Sequence, residues 1–177
     1  IIMYMDGYTH VANGSNTMDK YRIAFFTVDW NYDLVESTLH GLRQYVDDHA
    51  DVSLCIFDCF GKDLDNARDR SEYSIYDLVD LDQFDGLLIQ GNQIVLKPVR
   101  DTIARRVAQS GIPAVSIDCP IEGCSVLGID NCQAQHDIVR HVIDEHGARR
   151  LVYLTGILEN GSPEAKQRLD GFHDACR

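Results

Sequence analysis

The sequence predicts an α/β fold, a doubly wound parallel sheet whose two faces are covered by helices. Short apolar runs rich in β-branched residues alternate along the chain with longer segments of helical periodicity. The apolar runs are continuous rather than alternating, which is typical of parallel strands buried on both faces. Each run ends at a polar or glycine-containing tip. Because ligands of open α/β sheets bind outside the carboxyl ends of the strands, these tips form a candidate binding site.

Six apolar runs are predicted to be strands. In chain order they are Arg22–Val28, Val52–Phe57, Gly86–Ile89, Ala114–Ile117, Val126–Ile129 and Leu151–Leu154.

Helix signals follow the first, third, fifth and sixth runs. The first helix repeats apolar residues at helical spacing from Leu34 to Val46. Gly111, with Pro113 just beyond it, ends the second. Gly147 closes the third, and the Ser162-Pro163 pair opens the fourth. Residues 62–83 are strongly charged without a clean period, so we expect a partly irregular crossover there.

The length of 177 residues suits one domain, or one domain and part of another. Residues 1–17 show no periodicity and are predicted to be a flexible leader. Residues 18–119 are predicted to form an α/β lobe, and residues 120–125, which contain Gly123, a hinge link. Residues 126–177 are then the start of a second α/β lobe.

Composition and charge exclude several classes of function. The net charge of −12 argues against direct binding of nucleic acid, which needs clustered Lys and Arg. No apolar stretch is long enough to span a membrane and no secretory signal is recognisable, so we expect a cytoplasmic protein. The six cysteines form no Cys-x-x-Cys pair, so neither a metal site nor a cofactor is predicted.

Motifs of common enzymes are missing from the sequence. It contains no Gly-x-Ser-x-Gly elbow, no phosphate-binding Gly-x-x-x-x-Gly-Lys loop and no Gly-x-Gly-x-x-Gly fingerprint. We therefore predict no catalytic residues, and a stand-alone α/β enzyme is the third of our hypotheses.

The strand tips and the last helix supply the candidate ligand-binding residues: Asp29, Trp30, Asn31, Gln90, Asn92, Asp118, Asn131 and Arg168. Trp30 could stack on a sugar face or pack at the edge of the lobe. Asp29 could accept hydrogen bonds from hydroxyl groups or cap the first helix.

The remaining candidates also have structural alternatives. Gln90 and Asn92 flank Gly91, which lets backbone approach a ligand, but the three could equally form a simple turn. Asn131 is favoured as a helix cap over a ligand contact. Arg168 could form a planar bidentate clamp or lie on a solvated helix face.

Five segments in order resemble the lactose-repressor (LacI) type of regulators and the periplasmic sugar-binding proteins. They are Phe84–Ile89, Gly111–Asp118, Gly128–Asn131 with His141 ten residues further on, Gly147–Gly156 and Arg168–Phe172. The resemblance implies a periplasmic-binding-protein-like fold of type I, with two α/β lobes around a cleft. It further implies a small polar ligand such as a sugar, a hinge that closes on it, and a homodimer.

The resemblance assigns roles to three of the candidate site residues. Arg168 matches the arginine that usually binds ligand hydroxyls, and Asp118 and Asn131 match tips that face the cleft. The sequence departs from the family at Cys119, where an arginine is common, and at Ala148, where a histidine is common. The entry to the first helix also differs, so the ligand's identity cannot be transferred.

The sequence thus predicts a ligand-sensing domain that controls transcription, although no DNA-binding headpiece precedes residue 18. The segments Asp29–Tyr32, Glu72–Tyr76 and Gln90–Asn92 also resemble sensor domains fused to GGDEF-type diguanylate cyclases. Such an input domain is the alternative hypothesis.

Overall fold

Strands and helices alternate along the part of the chain that the computed structural model describes, residues 2–6, 20–29, 33–61, 66–156, 158 and 163–177. The strands are β1 (Ile2–Asp6), β2 (Tyr21–Val28), β3 (Val52–Cys59), β4 (Gly86–Ile89), β5 (Ala114–Ile117) and β6 (Ser125–Leu127). The helices are α1 (Asp33–Asp48), α2 (Ala67–Tyr73), α3 (Lys97–Ser110), α4 (Asn131–Asp144) and α5 (Pro163–Ala175). None of these helices has both the length and the apolar character needed to cross a membrane. The chain divides into unit 1 (Ile1–Val126) and unit 2 (Leu127–Arg177).

The sheet has the strand order β1-β3-β2-β4-β5-β6. Its central strands β3, β2, β4 and β5 are parallel neighbours, as the sequence predicts for a doubly wound α/β fold. From β2 the chain first adds β3 on one side and then β4 on the other. The order therefore reverses between β2 and β4, which defines a topological switch point.

The edge strand β1 lies within the segment that was predicted to be a flexible leader, and for residues 2–6 that prediction is wrong. The strand pairs antiparallel with β3, with Ile2 opposite Phe57 and Asp6 opposite Ser53. The run Ile-Met-Tyr-Met is too short to show a period, but the open edge of β3 offers it backbone hydrogen bonds. Residues 7–17 of the predicted leader lie outside the described residues.

Both faces of the central strands are buried. In β2, Phe26 belongs to one apolar cluster and its neighbour Phe25 to another. In β3, Phe57 belongs to the same cluster as Phe26, and Leu54 belongs to the same cluster as Phe25. Because successive side chains of a strand point to opposite faces, both faces of the sheet are covered. This explains the continuous apolar runs.

The crossover between β3 and β4 is irregular, as predicted. It consists of α2 followed by 3₁₀ turns at Ser74–Leu78 and Leu81–Gln83. Tyr76 anchors it: its ring stacks on Phe26 with centroids 4.6 Å apart, and its hydroxyl donates to the Thr27 carbonyl oxygen at 2.5 Å. The Arg106 guanidinium of α3 donates to the carbonyl oxygen of Tyr76 as well. One aromatic side chain and one arginine therefore hold a segment that has no continuous helix.

Burial makes Tyr76 a source of alkaline instability. Burial raises the pKa of Tyr76 well above its ordinary value. Above about pH 10 the unfolded chain ionises this hydroxyl while the folded chain keeps it protonated, so the free energy of unfolding falls as the pH rises. We expect Tyr76→Phe to cost about 1 kcal/mol at neutral pH and to make this alkaline decline less steep. Urea unfolding across the alkaline range measures both effects.

Tyr45→Phe is the matched control, because Tyr45 is exposed on α1. It should leave the pH profile of the wild type unchanged. An equally steep decline in Tyr76→Phe and in the wild type would contradict the assignment.

The helices α4 and α5 pack against each other in unit 2. The strand predicted at Leu151–Leu154 is not formed, so that prediction is wrong, and Val152 and Leu154 are 88% and 90% exposed. The run has the composition of a strand, but within the described residues no neighbouring strand pairs with it. The strand predicted at Val126–Ile129 is instead the shorter β6.

Candidate ligand-binding site

The carboxyl ends of the central strands lie side by side in unit 1. Neighbouring strands are about 4.8 Å apart, so the strand order sets the residues after β3, β2, β4 and β5 in one row. The switch point lies between β2 and β4, and the residues that follow these strands are Asp29 and Gln90. Ligands of open α/β sheets bind at this place.

Two aspartates at these strand ends adopt left-handed backbone conformations. Asp29 has φ 54° and Asp118 has φ 58°, and no other non-glycine residue in the described ranges has a positive φ. This conformation costs an L-residue about 1–2 kcal/mol, and such strain is often found at functional sites. Because α1 begins at Asp33, Asp29 is not its cap.

A chain of hydrogen bonds links three predicted site residues. Gln90 is fully buried, and its Nε2 donates to Asn92 Oδ1 at 3.0 Å. Asn92 Nδ2 in turn donates to Asp118 Oδ2 at 3.4 Å. Gln90 therefore fixes which end of the Asn92 amide faces the carboxylate. Asp118 Oδ1 accepts no hydrogen bond from the described side chains and can accept one from a ligand.

Gly91 brings the loop after β4 against the end of β5. A Cβ at this position would lie 2.3 Å from Ser116 Oγ and 3.2 Å from the Ile117 carbonyl oxygen. We expected Gly91 to allow backbone to approach a ligand, but the close approach is to β5. This glycine therefore sets the spacing at which Asn92 reaches Asp118.

Unit 2 places its two predicted site residues in direct contact. Arg168 Nε donates to Asn131 Oδ1 at 2.9 Å. Asn131 is buried, whereas Arg168 is exposed on α5. The bond orients the guanidinium, and its two Nη groups, which form no hydrogen bond within the described residues, can donate to a planar oxygen pair.

The helix cap at the start of α4 is Asp130 rather than Asn131. The Asp130 side chain accepts a hydrogen bond from the Gln133 amide at 2.9 Å. Both residue types cap helices well, so the sequence alone did not separate the two neighbours. Asn131 is free of the capping role and orients Arg168 instead.

Two predicted residues, Trp30 and Asn31, lie outside the described residues. The Asp58 carboxylate, close to the end of β3, was not among our candidates. Asp58 in β3 is buried and lines a cavity of about 310 Å³ with Glu72 and Ser71. A carboxylate inside an otherwise apolar run is the signal that could have found it.

A buried thiol, that of Cys59 in β3, lies at this edge of the sheet. Burial raises the pKa of the Cys59 thiol, so this sulfur stays protonated at neutral pH and is a weak nucleophile. In the ranges that the structure covers, no group of three His, Cys, Asp or Glu side chains could hold a metal ion.

The architecture is that of periplasmic-binding-protein-like domains of type I, as predicted, and solved structures of two kinds share it. An ABC-transporter solute-binding protein from Burkholderia multivorans, with an unknown ligand described as α-D-erythrofuranose, matches with 16% identity and a TM-score of 0.62. Another from Mycobacterium smegmatis, with bound glycerol, matches with 18% identity and a TM-score of 0.65. The transcriptional repressor AscG of Escherichia coli matches with 19% identity and a TM-score of 0.61. The resemblance read from the sequence is thus confirmed for the fold.

The matches cover 88% of this chain in all three cases. They cover 56%, 51% and 53% of the three structures in the same order, so the chain spans about half their length. No protein-family model and no curated protein matches the sequence. At these identities the likeness shows the fold, and the activity has to be argued from the site.

Proposed function

We propose that this chain is a ligand-sensing domain that binds a small polar molecule such as a sugar and controls transcription. The observation that carries the proposal is the hydrogen-bond chain from Gln90 through Asn92 to Asp118 at the switch point of the sheet. It presents a carboxylate oxygen at the place where α/β sheets bind ligands. One solved structure of the same fold holds an unknown ligand described as α-D-erythrofuranose and another holds glycerol, which supports a ligand rich in hydroxyl groups.

The donors and acceptors of the site suit hydroxyl groups. In unit 1, the carboxylates of Asp29 and Asp118 accept hydrogen bonds, and in unit 2 the Arg168 guanidinium donates them. A hydroxyl group both donates and accepts hydrogen bonds, so a polyol suits either set of groups. An apolar ligand would leave these groups desolvated and unpaired, which costs free energy.

Signalling requires that the ligand binds one conformation better than another, because only that difference shifts an equilibrium. The structural similarity to the repressor AscG supports transcription as the output. A cytoplasmic location, a homodimer and the absence of catalysis belong to the same proposal. The alternative diguanylate cyclase output stays a prediction from sequence alone.

A thermal-shift screen with monosaccharides and polyols tests the proposal. A ligand at a hundred times its Kd should stabilise the fold by about 2.7 kcal/mol. Asp118→Asn removes the charge from the acceptor, and hydrogen bonds to charged groups contribute about 1.5–3 kcal/mol. We therefore expect this variant to bind the best compound of the screen about tenfold to a hundredfold more weakly.

Asp47→Asn is the matched control, because Asp47 is exposed on α1. The substitution also removes one negative charge, but at a position away from the strand ends. It should bind like the wild type. If no polyol or sugar stabilises the wild type, or if Asp118→Asn binds equally well, the proposed function is wrong.

A further inference from the structure

A second cavity of unit 1 is separate from the candidate ligand-binding site. It is a groove of about 820 Å³ between α3 and the turn at residues 120–123, within the size range of small-molecule sites. Ala104 and Ala108 on α3 line the groove, and their small side chains leave space at its bottom. The opposite wall is fixed, because Ile121 is buried in the core. None of its lining residues belongs to the strand-end site.

The cations of this groove outnumber its anions, although the whole chain carries a net charge of −12. Lys97 and Asp101 neutralise each other, since Lys97 Nζ lies 2.7 Å and 2.9 Å from the two carboxylate oxygens. Arg100 and Arg105 form no ion pair with any carboxylate of the described residues. Only Glu122 opposes them in the lining. The groove therefore has two arginines whose charge is not neutralised by a partner.

Arg100 is held in an orientation that suits an anion. Its Nη1 donates to the carbonyl oxygens of Ile94 at 2.5 Å and Val95 at 2.7 Å, which occupies both hydrogens of that nitrogen. Nε and Nη2 form no hydrogen bond within the described part of the chain. These two nitrogens form the edge of a guanidinium that binds carboxylate or phosphate in a bidentate manner. Because the side chain is half-buried and fixed by the backbone, little of its freedom is left to lose on binding.

Arg105 supplies a second guanidinium to the same groove. Its Nη2 donates to Thr102 Oγ1 at 2.8 Å, and its Nε approaches the Asp101 carbonyl oxygen at 3.4 Å. Both partners are neutral, so the positive charge is retained. Positions 100, 104 and 108 form one stripe of α3, and positions 97, 101 and 105 form the adjacent stripe.

We propose that this groove binds a small organic anion through a carboxylate or phosphate group held by Arg100 and assisted by Arg105. The bond pattern is a bidentate pair from Arg100 Nε and Nη2 and a further charged donor from Arg105. The remaining volume accommodates the body of the molecule. This second site does not depend on the proposed function of the strand ends.

Isothermal titration at low ionic strength tests the proposal, with inorganic phosphate and succinate as probes. The wild type should bind at least one of the two, and binding should weaken as sodium chloride is added. A preference for phosphate indicates a phosphorylated ligand, and a preference for succinate indicates a carboxylic acid. Arg100→Gln should weaken binding of the preferred probe at least tenfold. Arg100→Lys should bind with intermediate affinity, because lysine keeps the positive charge but lacks the two parallel N–H donors of the guanidinium.

Because Arg100 also binds two backbone carbonyls, Arg105→Gln gives an independent test in a side chain that is exposed. It should weaken binding of the same probe about fivefold while the melting temperature stays close to that of the wild type. Arg43→Gln, on the exposed surface of α1, removes the same charge and should bind like the wild type. Undetectable binding of both probes, or equal affinities in the wild type, Arg100→Gln and Arg105→Gln, would overturn the proposal. Arg100→Gln should keep any stabilisation by polyols, which separates this site from the strand ends.

Discussion

Gly171→Ala is expected to destabilise unit 2 by about 3 kcal/mol, the upper end of the cost of overpacking a buried contact. A Cβ at this buried position would lie 2.2 Å from the Cys132 carbonyl oxygen and 3.0 Å from its carbonyl carbon. These atoms belong to the backbone of α4 and cannot rotate away as a side chain could. The helices α4 and α5 must then move apart, and they supply the packing of unit 2.

The same substitution should also displace Arg168. Gly171 lies one helical turn after Arg168, and Cys132 directly follows Asn131. A wider spacing of the two helices therefore lengthens the 2.9 Å bond between Arg168 Nε and Asn131 Oδ1. Amide hydrogen exchange of α4 and α5 measures the loss of stability, and titration with a polyol found in the screen measures the loss of binding.

Gly41→Ala is the control, because a Cβ at Gly41 meets nothing within 4 Å. Gly41 lies inside α1, where alanine is favoured over glycine by about 0.5–1 kcal/mol. This variant should be slightly more stable than the wild type. If Gly171→Ala exchanges its amide protons as slowly as the wild type does, the close packing of α4 on α5 is refuted.

Arg168→Ala should strongly weaken ligand binding while the fold stays intact. Arg168 is exposed, so its removal leaves no cavity. The fold loses the hydrogen bond from Arg168 Nε to Asn131 Oδ1. Two charge-assisted hydrogen bonds from the Nη groups contribute about 1.5–3 kcal/mol each. Their loss weakens binding by about a hundredfold or more.

Two further variants of α5 sharpen this result. Arg168→Lys keeps the charge but loses both the fork and the bond from Nε, so it should rescue little of the affinity. Lys166→Ala removes a cation two residues earlier that is paired with Asp170, and it should bind like the wild type. An unchanged Kd in Arg168→Ala would remove Arg168 from the candidate ligand-binding residues.

Local patterns predicted the strands of the central sheet well, because burial on both faces leaves a continuous apolar run. Leu151–Leu154 shows the same pattern but forms no strand, since a strand also needs a partner for its backbone groups. The strand β1 was missed for the opposite reason. A short run without a period becomes a strand when a neighbouring edge accepts it.

The residues of the candidate site could be listed from the sequence, but their connections could not. Gln90, Asn92 and Asp118 are joined because β4 and β5 are neighbours in the sheet, and this depends on long-range strand order. The contact of Arg168 with Asn131 likewise depends on how α4 and α5 pack. Trp30 and Asn31 remain predictions.

Amide hydrogen exchange with and without the most stabilising polyol of the screen tests the central claim most directly. Our account predicts slower exchange at residues 90–92 and 118–119, where the hydrogen-bond chain of the candidate site lies. Protection confined to other segments, such as α3, or no protection while the ligand is bound, would contradict it.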